Sequence, residues 1–291
     1  MDTESLRALV HAHEQPRRQA LSSKLPHLKR GIILARRTHR SITNYLNPAI
    51  QNKKSKTFFT HVIARHQSVL VRKLGNSDVK LQEEKIINLR RACEDLNGII
   101  IEPGKIFSLW HLIGQPTHAK GYVTGMLLSN GKVVPGIGGG LCQLSNFLCW
   151  IFMHADTKII ERYHHSMDVF PDSGRVLPFG SGATCLYNFI DLKIKNTGAE
   201  PLQLKICVTD THLKGQLVSP KSADAKFSVF EAEHCFVKTT KKYFRYNEIF
   251  RAKKINGQEI SQEKLFTNFA PVLYPVTSEY LTENNFTVVE L

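Results

Sequence analysis

A chain of 291 residues, 42% hydrophobic and 22% charged, can bury a substantial core as one large domain or two smaller ones, and its composition excludes a disordered or fibrous protein. The formal charge of +14 is unevenly placed: residues 1–80 hold 16 Lys/Arg against the acids Asp2, Glu4, Glu14 and Asp78. A spanning helix needs roughly 18 consecutive apolar residues and a secretory signal needs a basic stretch before an apolar run. Neither is present, because Gln143, Ser145, Asn146 and His154 break the longest apolar stretch and the chain opens Met1-Asp2-Thr3-Glu4-Ser5. A cytoplasmic protein is expected, at most peripheral to a membrane.

Residues 1–80 read as a basic segment, helical or irregular, with breaks at Pro16, Pro26 and Pro48. Arg17-Arg18, Lys29-Arg30, Arg36-Arg37 and Lys53-Lys54 suit an anionic surface such as lipid headgroups, and equally a plain solvated helix face. Aromatics do not alternate with cations here, so a nucleic-acid partner is not expected.

Asn76 or Ser77 is placed to cap a helix through Leu81, Ile86, Ile87, Leu89 and Leu96, stopped by Asn97-Gly98. Ile99-Ile100-Ile101 reads as a buried strand closed by Pro103-Gly104, and residues 114–140 as short strands and glycine turns. Residues 141–155 are apolar almost all round, which predicts a central buried helix. Strands are expected at 157–163, 184–195, 202–209, 235–240 and 243–251, with Asn196-Thr197-Gly198 as a turn. The expected fold is α+β, a mostly antiparallel sheet packed around that helix with a basic helical N-terminal segment. Its expected division is 1–75 basic segment, 76–214 core domain and 215–291 strand-rich extension.

Cys93, Cys142, Cys149, Cys185, Cys207 and Cys235 occur singly, without a CxxC pair. This is the usage of free thiols, and it lacks the paired spacing of a structural zinc site. No cofactor or metal is expected. A metal held by Cys142, His164, His165 and Asp168 is the minor alternative, because adjacent histidines chelate poorly.

The chemistry concentrates in Gly136-Ile137-Gly138-Gly139-Gly140-Leu141-Cys142-Gln143-Leu144-Ser145-Asn146. Glycines permit tight turns, and a helix start offers unpaired amides and a positive dipole end that favour thiolate over thiol. Cys142, Ser145, Asn146 and Cys149 share one helical stripe, which serves either a nucleophile with polar neighbours or close packing. A thiol nucleophile needs a base, and Tyr163-His164-His165-Ser166-Met167-Asp168 supplies one histidine facing Cys142 and an acid, Asp168 or Asp172, to orient it. Trp110 and His111 are candidates for the same cleft, although core packing suits Trp110 better. Arg162 and Arg175 are candidates for binding a substrate carboxylate, and 179–182 for a lid or a plain turn.

Several of these motifs occur together in one known family. Lys85-Ile86-Ile87-Asn88-Leu89, the Pro103-Gly104-Lys105-Ile106-Phe107-Ser108 turn and Gly121-Tyr122 are three of them. Gly138-Gly139-Gly140-Leu141-Cys142-Gln143-Leu144-Ser145, Glu161-Arg162-Tyr163-His164-His165-Ser166, Gly182-Ala183-Thr184 and Tyr243-Phe244-Arg245-Tyr246-Asn247-Glu248-Ile249 follow in order. Across residues 70–265 the chain resembles the VanW family, proteins encoded in glycopeptide-resistance gene clusters. The resemblance implies a link to glycopeptide resistance or envelope upkeep, with Cys142 as the motif cysteine and His165 as the motif histidine. Many relatives are secreted or anchored and carry wall-binding domains, features this sequence does not display. Secreted relatives tend to carry an acid where this chain has Gly182, which leaves Asp168 or Asp191 as the acid candidates.

Two readings stay open. In the first, a cysteine-dependent hydrolase or acyl-transferase acts on amide-containing, peptidoglycan-precursor-like or peptide-like ligands. Cys142 is then its nucleophile, His165 its base, Asp168 the orienter, and Gln143 and Ser145 supporting groups. In the second, a non-enzymatic accessory or binding protein docks through its basic segment, and Cys142 is a structural thiol.

Overall fold

The computed structural model describes residues 2–15, 26–71, 79–129, 132–169, 171–172 and 176–291. The expected cap at Asn76 or Ser77, the Arg17-Arg18 pair and Arg175 lie outside them.

The architecture is α+β with mostly antiparallel pairing. The described helices are α1 Thr3–Glu14, α2 Lys29–Leu46, α3 Val79–Leu96, α4 Leu109–Ile113, α5 Leu141–Met153 and α6 Ser278–Glu283. One four-stranded sheet runs β1 (His61–Val69), β9 (His212–Ser219), β8 (Leu202–Val208), β2 (Ile100–Ile101). A second runs β12 (Gln258–Pro271), β11 (Tyr243–Ile255), β10 (Ala225–Lys238), β13 (Val288–Glu290), with only the last pair parallel. β3 (Ile106–Ser108), β7 (Lys193–Asn196) and β6 (Thr157–Glu161) form a third, and β4 (Thr124–Ser129) pairs with β5 (Lys132–Ile137).

α5 packs on β1 and β9, and α3 packs on β4 and β8. Leu141, Leu144, Phe147, Leu148, Ile151 and Phe152 enter a core shared with Leu89 and Leu96 of α3 and with Leu204 and Leu217 of the first sheet. Their burial drives the packing, at about 1.5–3 kcal/mol per large apolar side chain. A smaller cluster seats Leu6 of α1 on Val237, Phe244 and Tyr246 of the second sheet. α3 stops where expected: Gly98 has φ +89, and a Cβ there would meet Ser55 O at 2.3 Å, so only glycine fits.

Three expectations are corrected. Residues 1–80 are not all helical or irregular, since β1 lies in the first sheet; its Arg65, His66 and Gln67 mimic a solvated segment, and only Ala64 along it is buried. The strand expected over 184–195 shrinks to β7, because Asn188 takes φ +51 and the Leu186 and Ile190 backbones close a turn on each other. The later strands are longer, and β11 continues through Asn256-Gly257 into β12. Those two residues have φ +52 and +83, the two-residue hairpin turn that Asn-Gly favours; the signal was present in the sequence.

Candidate functional site

The glycine segment turns β5 into α5 under close constraint. Gly138 and Gly140 have φ +74 and +95, and a Cβ on Gly139 would lie 2.1 Å from the Gly125 backbone. α3 holds this turn through two polar side chains. Asn88 donates its carboxamide to Val123 O at 3.0 Å and Gly139 O at 2.9 Å while accepting Val123 N–H at 2.8 Å. The Lys85 stem fills the space a side chain on Gly140 would take, and its buried Nζ donates to Leu70 O at 2.6 Å. Sequence reasoning assigned Lys85 and Asn88 no role beyond family likeness; their signal is two polar residues three apart on an otherwise inward helix face.

α5 opens at Leu141 with no side-chain cap, so its first amides and positive end converge beside Cys142. Cys142 is half-buried, with its sulfur 3.9 Å from Thr184 Oγ1. Its thiol is held well below its ordinary range, first by the hydrogen bond from the Cys185 thiol, and further by the Cys185 N–H and the Thr184 hydroxyl, against the opposing effect of burial. Cys185 is pushed correspondingly high, because it supplies that proton and is itself buried. Both cysteines are free. Cys142 Sγ lies 3.9 Å from Thr184 Oγ1, whereas His165 Nε2 meets Asn146 Oδ1.

His165 stands one helical turn away. Its Nε2 is 3.4 Å from Asn146 Oδ1, and the same oxygen accepts Ala183 N–H at 2.8 Å. A Cβ at residue 182 would lie 2.2 Å from Asn146 Oδ1. The Asn146 carboxamide therefore occupies the space that a side chain at residue 182 would take. Asn146 entered the sequence reading only as part of the α5 stripe; its contact with His165 joins residues 19 apart, which spacing does not reveal.

The supporting candidates serve mainly to position backbone. Gln143 donates to Ser68 Oγ at 3.0 Å and Val69 O at 2.8 Å, tying the α5 start to β1. Ser145 donates to Cys142 O and Ala183 O. Asp168 and Asp172 both face Arg245 in the second sheet, and Asp168 also accepts Tyr274 Oη–H at 2.9 Å. Asp191 caps α4, taking Ser108 Oγ–H at 2.6 Å and Trp110 N–H at 3.1 Å, and burial raises its carboxyl. Arg162 donates to the Gly180 and Gly182 carbonyls and lies 3.6 Å over the Phe266 ring, so it clamps the 180–182 loop.

Two clefts of about 200 and 190 Å³ lie elsewhere, one beside Asp172, Phe179 and Arg245, the other beside Tyr45, Trp110 and His111. Trp110 is buried and donates Nε1–H to Ile190 O at 2.7 Å, consistent with core packing. Among the described residues no three His, Cys, Asp or Glu side chains converge on a metal position, and no helix is long and apolar enough to cross a membrane.

Residues 84–218 match the family model described as VanW like protein, a span containing Cys142, Asn146, His165 and Cys185. The chain is 31% identical over 201 residues to the vancomycin B-type resistance protein VanW of Enterococcus faecalis, covering 68% of this chain and 73% of that protein. It is 26% identical over 118 residues to the uncharacterized protein YoaR of Bacillus subtilis, spanning 40% of this chain and 37% of that one. No solved structure matches.

Proposed function

The chain belongs to the VanW family, and from that premise we propose that it is a thiol-dependent acyl-transfer enzyme, linked to glycopeptide resistance or envelope maintenance, acting on amide-containing, peptidoglycan-precursor-like substrates. The observation that carries the reading is the placement of Cys142 at the uncapped start of α5, beside Thr184, with His165 held on Asn146 one turn along; the depressed thiol accords with that placement. Because Cys185 and Thr184 already favour the thiolate, His165 is not needed to remove its proton. Cys142 Sγ attacks the amide carbonyl carbon, the C–N bond breaks, and the leaving amine takes the Nδ1 proton of His165 in its imidazolium form; the neutral ring then takes a proton back from the water or amine that attacks the thioester, and Cys142 leaves as thiolate. Water or a second amine then releases the thioester. The helix-start amides supply the oxyanion donors.

A non-enzymatic accessory role is favoured by a different observation: neither cleft is lined by Cys142, so Cys142 and Cys185 then act as packing thiols. Site-resolved alkylation of the native protein, followed by incubation with a peptidoglycan-precursor peptide, separates the two. Selective labelling of Cys142 and a Cys142-linked acyl adduct by mass spectrometry support the enzyme. Labelling no faster than at the other cysteines, with no adduct, supports the accessory role.

A further inference from the structure

α2 turns three polar residues toward the protein: Arg40 pairs with Glu161, Asn44 Oδ1 accepts Lys193 Nζ at 2.7 Å, and the Arg37 guanidinium lies 5.5 Å over the Phe189 ring. Arg37, Arg40 and Asn44 follow the three-and-four spacing of one helix face. The opposite face, continued from the turn before the helix, leaves Leu28, Leu34, Ile42, Tyr45 and Leu46 exposed at 58, 66, 53, 79 and 70%. Single exposed apolar residues are ordinary, but five large ones sharing one side of a helix and its leading turn mark an interaction surface.

The charges beside the ridge identify the partner. Lys29, Arg30 and Arg36 are exposed on its flanks, and no Asp or Glu occurs anywhere from residue 15 to residue 77. An apolar ridge bordered by cations and free of acids matches the boundary between acyl chains and anionic headgroups, with the helix lying in the plane. Phosphates of a nucleic acid would meet the cations but leave the leucines in water. A second copy would set one acid-free helix against another, bringing like charges together. We infer that α2 is a membrane-docking helix whose Leu34–Tyr45 ridge inserts shallowly into an anionic lipid surface. It brings the Arg40–Glu161 contact, and with it the β6 end that leads to His165, close to the bilayer face.

The test is co-sedimentation of the full chain with phosphatidylcholine vesicles, with and without phosphatidylglycerol, at low and high salt. Binding is expected only to the mixed vesicles, weakened by salt. Leu34→Glu and Ile42→Glu should each lower the partition coefficient roughly tenfold or more, the effect of losing one inserted apolar side chain. The pair Arg30→Gln and Arg36→Gln should weaken it without touching the ridge. These side chains face solvent, so circular dichroism should be unchanged. Failure of the wild type to bind mixed vesicles would overturn the inference, as would unaltered binding by Leu34→Glu, which would assign attraction to charge elsewhere. A concentration-dependent dimer dissolved by Leu34→Glu, with vesicles ignored, would assign the ridge to a second copy.

Discussion

Asn146 Oδ1 faces His165 Nε2 at 3.4 Å while accepting Ala183 N–H at 2.8 Å. A backbone N–H can only donate, so the atom opposite it must be the carboxamide oxygen, and that choice decides the histidine as well. Nε2 must carry the proton it donates to Asn146, which leaves the Nδ1 lone pair directed away from Asn146 in the neutral ring. Nitrogen NMR of the histidines should report the Nε2–H tautomer for His165, and Asn146→Leu should convert it to a mixture. A predominant Nδ1–H form in the wild type would refute the assignment.

Gly182 and Asn146 compete for one space. Gly182→Ala places a Cβ 2.2 Å from Asn146 Oδ1 and should destabilise the protein by about 1–3 kcal/mol, the cost of overpacking. In an Asn146→Ala background the added methyl finds room, so Gly182→Ala should cost much less there. Denaturant midpoints of the four proteins give the coupling. Additive costs would mean that the carboxamide moves aside freely.

Cys142 should label with iodoacetamide at a lower pH than an ordinary thiol, because Cys185 and Thr184 stabilise its thiolate. Cys185→Ala removes the principal donor, so the labelling profile should move to higher pH and its rate at neutral pH should fall. The same shifts affect stability. A depressed thiol contributes stability that is fully present above its unfolded value of about 8.5, and is lost as pH falls through its folded value. Cys185, raised well above the ordinary value, acts oppositely: its contribution is present below the unfolded value and is lost as pH rises through its folded one. Stability should therefore rise from mildly acidic pH towards the ordinary thiol range and decline above it. Urea midpoints of wild type and Cys185→Ala across that range test both limbs, and coincident curves would count against the thiol pair.

Arg245 is 2% exposed and is paired with both Asp168 and Asp172, with His234 at 2.8 Å from its Nε. Removing one member of a buried charge set leaves the rest uncompensated, typically at about 3–5 kcal/mol. Asp172→Ala is expected near the lower end, since Asp168 remains. It should leave Cys142 alkylation unchanged, because the cluster belongs to the second sheet. Loss of labelling in a folded Asp172→Ala protein would draw the cluster into the site.

The sequence by itself determined the elements whose cause is local. The α3 stop follows from Gly98, whose φ of +89 only glycine adopts readily, and the start of α5 from the glycines before Leu141. The α+β class and the unbalanced charge were legible for the same reason: strand alternation, helix periodicity and composition act over short stretches. Tertiary structure decided what depends on distant partners. β1 pairs with β9 across some 150 residues of chain, so its polar residues could not announce a strand. Asp168, adjacent in sequence to the histidines, is drawn to Arg245, 77 residues away, because a buried guanidinium must be neutralised. Cys185, one of six scattered thiols on paper, becomes the donor to Cys142 only when the Tyr163–Thr184 backbone bridge carries it there. Spacing along the chain sets periodicity and turns, whereas the proton on His165 and the charge on Cys142 depend on which groups the fold delivers to them through space.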